Sequence, residues 1–142
     1  MNAVSLYRAG AWLRRRNLVL FATLVDALVY LVFNCVIPSH AVIGRGTRAE
    51  HRGVGIVINR KAIIGENCSI GPHVVIGGRG KNVAGTPLIG DGVYLAAGCK
   101  VLGGVKIGDN AVVGANAVVL SDIPAGATAV GVPARTVKLE TD

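Results

Sequence analysis

The chain has 142 residues, 51% of them hydrophobic and 16% charged, with 20 glycines and 4% aromatic side chains. That length holds one domain and excludes a two-domain dehydrogenase or kinase, while the apolar content excludes disorder and glycine without a three-residue period excludes collagen. The net charge of +7 suits an anionic partner, yet no aromatic follows Tyr94, so the interleaved basic and aromatic surface of a nucleic-acid binder is missing.

Residues 1–36 contain no proline and one glycine, Gly10, and read as helix. Leu6, Tyr7, Arg8, Trp12 and Leu13 lead into the run Arg14-Arg15-Arg16. The segment from Leu18 to Ile37 is almost wholly apolar, broken by Asp26 and Asn34. Such a stretch behind arginines has the form of a membrane span or signal anchor. Asp26 near its middle opposes this, because a carboxylate there costs about 2.5–3.5 kcal/mol on insertion. No Ala-x-Ala cleavage site follows. We therefore read 1–36 as a helical cap buried against the rest of the protein or a sister subunit. The arginines leave room for a peripheral membrane contact.

From Ile37 onward the period is six. Aliphatic residues fall at Ile58, Ile64, Ile70 and Ile76, then at Ile89, Leu95, Val101, Ile107, Val113 and Val119. A small residue usually follows, as in Gly65, Gly71, Gly90, Ala96, Gly108 and Gly114. Neither a helix nor a flat strand repeats this way. Stacked hexads, three to a coil, with the aliphatic inward and glycine at the corner, describe a parallel β-helix over 37–135. Two interruptions break the count: a bulge around Glu50 to Gly55 and a glycine-rich loop over 77–87. Insertions in such a repeat project outward, where working surfaces usually lie. Residues 136–142 form a tail suited to cap the far end. Cys35, Cys68 and Cys99 show neither disulfide nor metal spacing, and point to a reducing compartment. The inward small positions of Cys68 and Cys99 favour packing over reactivity.

The segments Leu6-Tyr7-Arg8, Val42-Ile43-Gly44, Gly55-Ile56-Val57-Ile58, Val75-Ile76-Gly77-Gly78 and Ala129-Val130-Gly131-Val132-Pro133-Ala134-Arg135 resemble the hexapeptide-repeat acyltransferases. The resemblance is to the serine acetyltransferase branch, and within it most to the capsule and exopolysaccharide (colanic acid type) acetyltransferases. It implies an all-β, left-handed parallel β-helix behind an N-terminal helical segment. It also implies a homotrimer with active sites between neighbouring subunits, acetyl-CoA as co-substrate without a metal, and a small-molecule or sugar acceptor. The family's catalytic histidine matches His51, but its aspartate partner falls on Val36. The Arg-His pair that serves an amino-acid acceptor falls on Gly85-Thr86. These departures turn the expectation to a sugar hydroxyl in polysaccharide biosynthesis. Serine O-acetyltransferase of cysteine biosynthesis and a non-catalytic β-helix scaffold are the alternatives. The expected location is cytoplasmic, with room for contact at the inner face of the membrane.

Acetyl transfer from a thioester to a hydroxyl needs a base and an oxyanion stabiliser, and imidazole is a competent base at neutral pH. His51 in the bulge is the first catalytic candidate and His73 the second; His40 lies at a surface-type position. The third residue of every third hexad forms a column of His51, Pro72, Ala97, Ala115 and Pro133. With coils stacked about 4.8 Å apart, it runs roughly 14 Å from His51 to Ala115 and roughly 19 Å to Pro133, the reach of a pantetheine arm. Gly78, Ala97, Ala115, Arg135 and Lys138 are the expected cofactor-binding residues. Glu50, Arg79, Lys81 and Thr86 are the expected acceptor-binding residues.

Overall fold

The computed structural model describes residues 2–137; Lys138, with the remainder of the expected tail, lies outside them. Helix α1 (Ala3–Arg15) starts at Asn2, whose side chain accepts the Ser5 amide at 3.0 Å. Arg14 and Arg15 in its last turn complement the negative end of the helix dipole. Asn17, in left-handed backbone, turns the chain into α2 (Val19–Phe33), and Asn34, also left-handed, ends that helix.

The solenoid follows in four coils of two- or three-residue strands. The first holds β1 (Val42–Ile43), β2 (Arg48–Ala49) and β3 (Val57–Ile58); the second holds β4 (Ile63–Ile64), β5 (Ser69–Ile70) and β6 (Val75–Gly77). The third holds β7 (Leu88–Ile89), β8 (Tyr94–Leu95) and β9 (Lys100–Leu102), and the fourth β10 (Lys106–Ile107), β11 (Val112–Val113) and β12 (Val118–Val119). Strands β13 (Thr128–Val130) and β14 (Arg135–Val137) close the described chain. Like strands stack in parallel to make three faces: β1-β4-β7-β10, β2-β5-β8-β11-β13 and β3-β6-β9-β12. We call the corner from first to second face the first corner, that from second to third face the second corner, and that from third back to first the third corner.

Why the chain folds this way follows from the hexad. One residue of each strand from β1 to β13 points in and is buried, giving the stacks Ile43-Ile64-Ile89-Ile107, Ala49-Ile70-Leu95-Val113 and Ile58-Ile76-Val101-Val119. Each large aliphatic contributes about 1.5–3 kcal/mol by leaving water. The corners need left-handed backbone, met at the first corner by Gly46, Asn67, Gly92, Asn110 and Gly126, since glycine and asparagine enter that region most readily. The bulge is a 3-10 turn over Glu50–Gly53 at the second corner of the first coil. The glycine-rich loop leaves the third corner between β6 and β7.

The helices cap the first coil. Ala3, Val4 and Tyr7 of α1 are buried in one core with Ile43, Ala49 and Ile56. The Tyr7 hydroxyl donates to the Ala41 carbonyl, and Arg8 donates to that of Gly44 at 2.9 Å. Helix α2 packs on α1 at Gly10, where a Cβ would stand 3.2 Å from Val25. Asp26 is turned inward: it accepts from the Ser39 amide at 3.0 Å and hydroxyl at 2.9 Å, and meets Arg14 at 3.8 Å. The cap is nonetheless buried on one side only, for Leu20, Phe21, Leu24, Leu28 and Leu31 of α2 are exposed. No described helix is long and apolar enough to cross a membrane. At the other end β14 folds back antiparallel on β13.

Candidate active site

His51 and Arg52 both occupy left-handed backbone within the bulge, and His51 is exposed. Arg52 lies over the Phe33 ring, 5.4 Å from its centroid, which ties the bulge to the helical cap. Glu50, half-buried, accepts from the Ser69 hydroxyl at 2.9 Å, and Ser69 in turn accepts from Arg48. The Glu50 carboxylate is thus directed along the second face. Val36, where the resemblance puts a carboxylate, is exposed and bridges Val57 on the third face.

His73 occupies the second corner one coil further on. Its backbone is left-handed, its amide donates to the Val54 carbonyl at 2.9 Å, and its ring lies against Gly55 of the bulge. The pairing of Ala49 with Ile70 therefore brings both catalytic candidates to one corner, in successive coils. His40 sits at the third corner, between the Val36 bridge and β1.

The same register fixes the column. Ile70 pairs with Leu95, Leu95 with Val113 and Val113 with Ala129. Two residues beyond each stand Pro72, Ala97, Ala115 and Gly131; the same count from Ala49 reaches His51 in the bulge, while the corner ladder itself passes through Val54, whose carbonyl accepts from the His73 amide as that of Pro72 does from Gly98. The column therefore ends at Gly131 and not at Pro133. The last coil is two residues shorter than a full one, Thr128 following its partner Val112 by 16 positions and not 18. Ala97 and Ala115 are exposed, so the surface between them is nearly bare backbone. The backbone beside them interlocks between coils: the Pro72 carbonyl accepts from the Gly98 amide at 2.9 Å, and that of Ala97 from the Asn116 amide at 3.0 Å. Arg135 lies at the far end, paired through its backbone with Val130, its guanidinium donating to the Ala134 carbonyl at 2.9 Å.

The residues expected to meet the acceptor are not together in one chain. Gly78 and Thr86 line an open groove of about 610 Å³ at the third corner, with Arg60 and Lys61. The Thr86 hydroxyl donates to the Lys61 carbonyl at 3.1 Å. Arg79 turns away from that groove, packs on Gly103 and donates to the Leu120 carbonyl at 3.4 Å. Lys81 is exposed in the loop, and Glu50 stands at the second corner. Gly78, expected with the cofactor set, is thus on a different corner from Ala97 and Ala115. The solenoid places any loop leaving β6 at the third corner, so proximity in sequence could not show this separation.

Three side chains escaped the sequence reading. Lys100 donates to the Gly98 carbonyl at 2.7 Å, beside Ala97 on the column, although the hexad alone marks it as an outward solubility charge. Arg60 and Lys61 reach the groove only because the loop folds over them. The cysteines are buried and free. Burial pushes the Cys99 thiol up to about 12 and that of Cys35 to about 11, and raises Cys68 too; such thiols pack and do not react. No cluster of metal-ligating side chains occurs among the described residues.

Stacked hexads around an aliphatic interior, with a histidine heading a corner column of small residues, define a hexapeptide-repeat protein. The family described as bacterial transferase hexapeptide (six repeats) matches residues 86–121. A serine acetyltransferase of Salmonella typhimurium is 39% identical over 96% of this chain and 50% of its own length. A probable serine acetyltransferase of Oryza sativa is 47% identical over 89% of this chain and 36% of its own. Among solved structures, a soybean serine acetyltransferase complexed with serine superposes with a TM-score of 0.88 at 43% identity, covering 95% of this chain and 56% of that one. A serine acetyltransferase in complex with CoA gives 0.86 at 35% identity, covering 95% and 55%. The chain is built of stacked hexapeptide repeats and is similar to serine acetyltransferases, of which it spans about half or less.

These relatives overturn two expectations drawn from the resemblance. The similarity runs to serine acetyltransferases, and the capsule and exopolysaccharide branch is not supported as the nearest one. The sugar-hydroxyl reading falls with it, because the relatives are serine acetyltransferases. The physical reason is that hexads and the closing Gly131-Val132-Pro133-Ala134 segment build the solenoid, and a solenoid does not itself select an acceptor.

Proposed function

We propose that this chain is an acetyl-CoA-dependent O-acetyltransferase whose acceptor is the hydroxyl of serine or a closely similar amino acid. The observation that supports it most is the second-corner column, which runs from His51 past Pro72, Ala97 and Ala115 to Gly131, with Arg135 at its end. Three coil spacings separate His51 from Ala115, roughly 14 Å, and four separate it from Gly131, roughly 19 Å. An extended pantetheine arm has that reach. Small side chains let it approach the backbone, Lys100 lies alongside, and Arg135 meets phosphate in this reading, as would Lys138.

With the thioester at the bulge, the His51 imidazole takes the proton of the acceptor hydroxyl as that oxygen attacks the thioester carbonyl. The carbon–sulfur bond then breaks, and the imidazolium returns the proton to the departing thiolate. His73, one coil away, is the second candidate for these proton transfers. Glu50 is the anionic group for the acceptor's ammonium, and Arg60, Lys61, Lys81 and Thr86 supply the cationic and polar side of the third corner. Those two corners are distinct edges of one solenoid. A pocket holding both requires a neighbouring copy to bring its loop to the bulge, which supports a cyclic homotrimer.

The test is the thermal shift of purified protein with acetyl-CoA, followed by thiol release with L-serine. Ligand at 100 times its dissociation constant stabilises by about 2.7 kcal/mol. The parent and the His51→Asn variant are both expected to shift, with turnover in the variant about 10²–10⁴ slower. No shift in either moves the non-catalytic scaffold to first place.

A further inference from the structure

Helix α2 presents an apolar surface that the fold leaves uncovered. Leu20, Leu24 and Leu31 form one stripe along it, and Phe21, Leu28 and Val32 the next, with Leu31 77% and Leu20 71% exposed. The buried side, Ala22, Val29 and Phe33, faces the cap. At the start of the helix, Arg15, Arg16 and Trp12 are exposed as well, Arg16 lying 5.2 Å over the indole. The only acidic residue among the first 34 is Asp26, and its carboxylate is satisfied inside by Ser39 and Arg14. The outer face therefore carries leucine, phenylalanine and tryptophan beside free positive charge, with no negative charge.

We propose that this helical hairpin seats the protein on an anionic bilayer, α2 lying in the headgroup region with its two stripes toward the acyl chains. Fifteen residues of helix extend about 22 Å, short of a hydrocarbon core of about 30 Å, so the helix lies on the membrane and does not span it. Trp12 takes the interfacial position that amphipathic rings prefer. Arg15 and Arg16 meet anionic headgroups. Charge complementarity selects this occupant over the same face of a second copy, which would set arginine against arginine with no carboxylate.

The experiment is co-sedimentation of the full chain with vesicles of phosphatidylcholine alone or with roughly one-third phosphatidylglycerol. The chain is expected to pellet with the anionic vesicles and far less with neutral ones. An Arg15→Ala/Arg16→Ala variant is expected to partition about tenfold or more weakly, each arginine near such a surface being worth about fivefold. A Leu20→Ser/Leu24→Ser/Leu31→Ser variant, altered only at exposed positions, is expected to stay in solution with an unchanged melting temperature. A parent chain that stays in the supernatant overturns the proposal, as does pelleting indifferent to either variant. A parent that ignores vesicles while the triple variant falls in oligomeric mass assigns the face to a second copy. Sedimentation reads no turnover, so its outcome is independent of the catalytic reading.

Discussion

At the second corner, His73 holds the left-handed position that Gly98 and Asn116 hold in the next two coils, and His51 is left-handed in the bulge. A non-glycine residue there costs roughly 1–2 kcal/mol, and asparagine bears that conformation best. Asparagine is thus the substitution that removes imidazole and keeps the turn. His51→Asn is expected to lower kcat by about 10²–10⁴ with the melting temperature within a few degrees of the parent, as steady-state thiol release and calorimetry would read. His73→Asn is expected to cost less. Equal turnover in His51→Asn removes that residue from the chemistry. The cysteines give a pH prediction. The Cys99 thiol is raised to about 12 in the fold from an ordinary 9.0. The unfolded chain therefore releases this proton near pH 9, while the folded chain holds it. Stability is full below pH 9 and declines as pH rises from there toward 12. Urea midpoints at rising pH should show the decline, and Cys99→Ala, matching Ala117 in the next coil, should flatten part of it.

At the scale of the coil, stability rests on bare corners and stacked aliphatics. A Cβ at Gly44 would stand 2.5 Å from the Gly65 carbonyl carbon, in backbone that has nowhere to move. Gly44→Ala is expected to lower the denaturant midpoint with the slope unchanged, more than a surface alanine substitution would. Ile70→Ala, in the middle of a buried stack, is expected to cost about 2–5 kcal/mol. The column predicts the opposite pattern. Ala97→Trp or Ala115→Trp projects into solvent, so folding is retained while the shift with acetyl-CoA shrinks or vanishes. An undiminished shift in both would move the donor site off this corner.

The whole molecule decides what the site contains. His51 stands at the second corner, while Arg60, Lys61 and Thr86 line the third. If neighbouring copies share each site, a His51→Asn chain mixed with a chain lacking 79–85 should recover part of the turnover that each lacks alone. Recovery in refolded mixtures, with a mass of three chains by light scattering, is the expected result. No recovery places the whole site within one chain.

The sequence by itself determined the solenoid, because a six-residue period of aliphatic and small residues has one packing solution and each coil repeats it. It also located the bulge and the loop, since an insertion shows as a break in the count. His51, His73, Ala97 and Ala115 were legible as one corner by the same counting. The column's far end was not: the last coil is two residues short, and only the pairing of Val112 with Thr128 puts Gly131 where counting put Pro133. Nor could spacing separate Arg79, which turns onto Leu120, from Thr86, which faces the groove. Asp26 reads in sequence as a flaw in an apolar run. Tertiary structure makes it the inward end of a network with Ser39 and Arg14, because a half-buried carboxylate must find donors, and those donors lie 13 and 12 residues away along the chain. Periodic packing is a local property that a sequence displays, whereas the partner of a single polar group is settled only when distant segments meet.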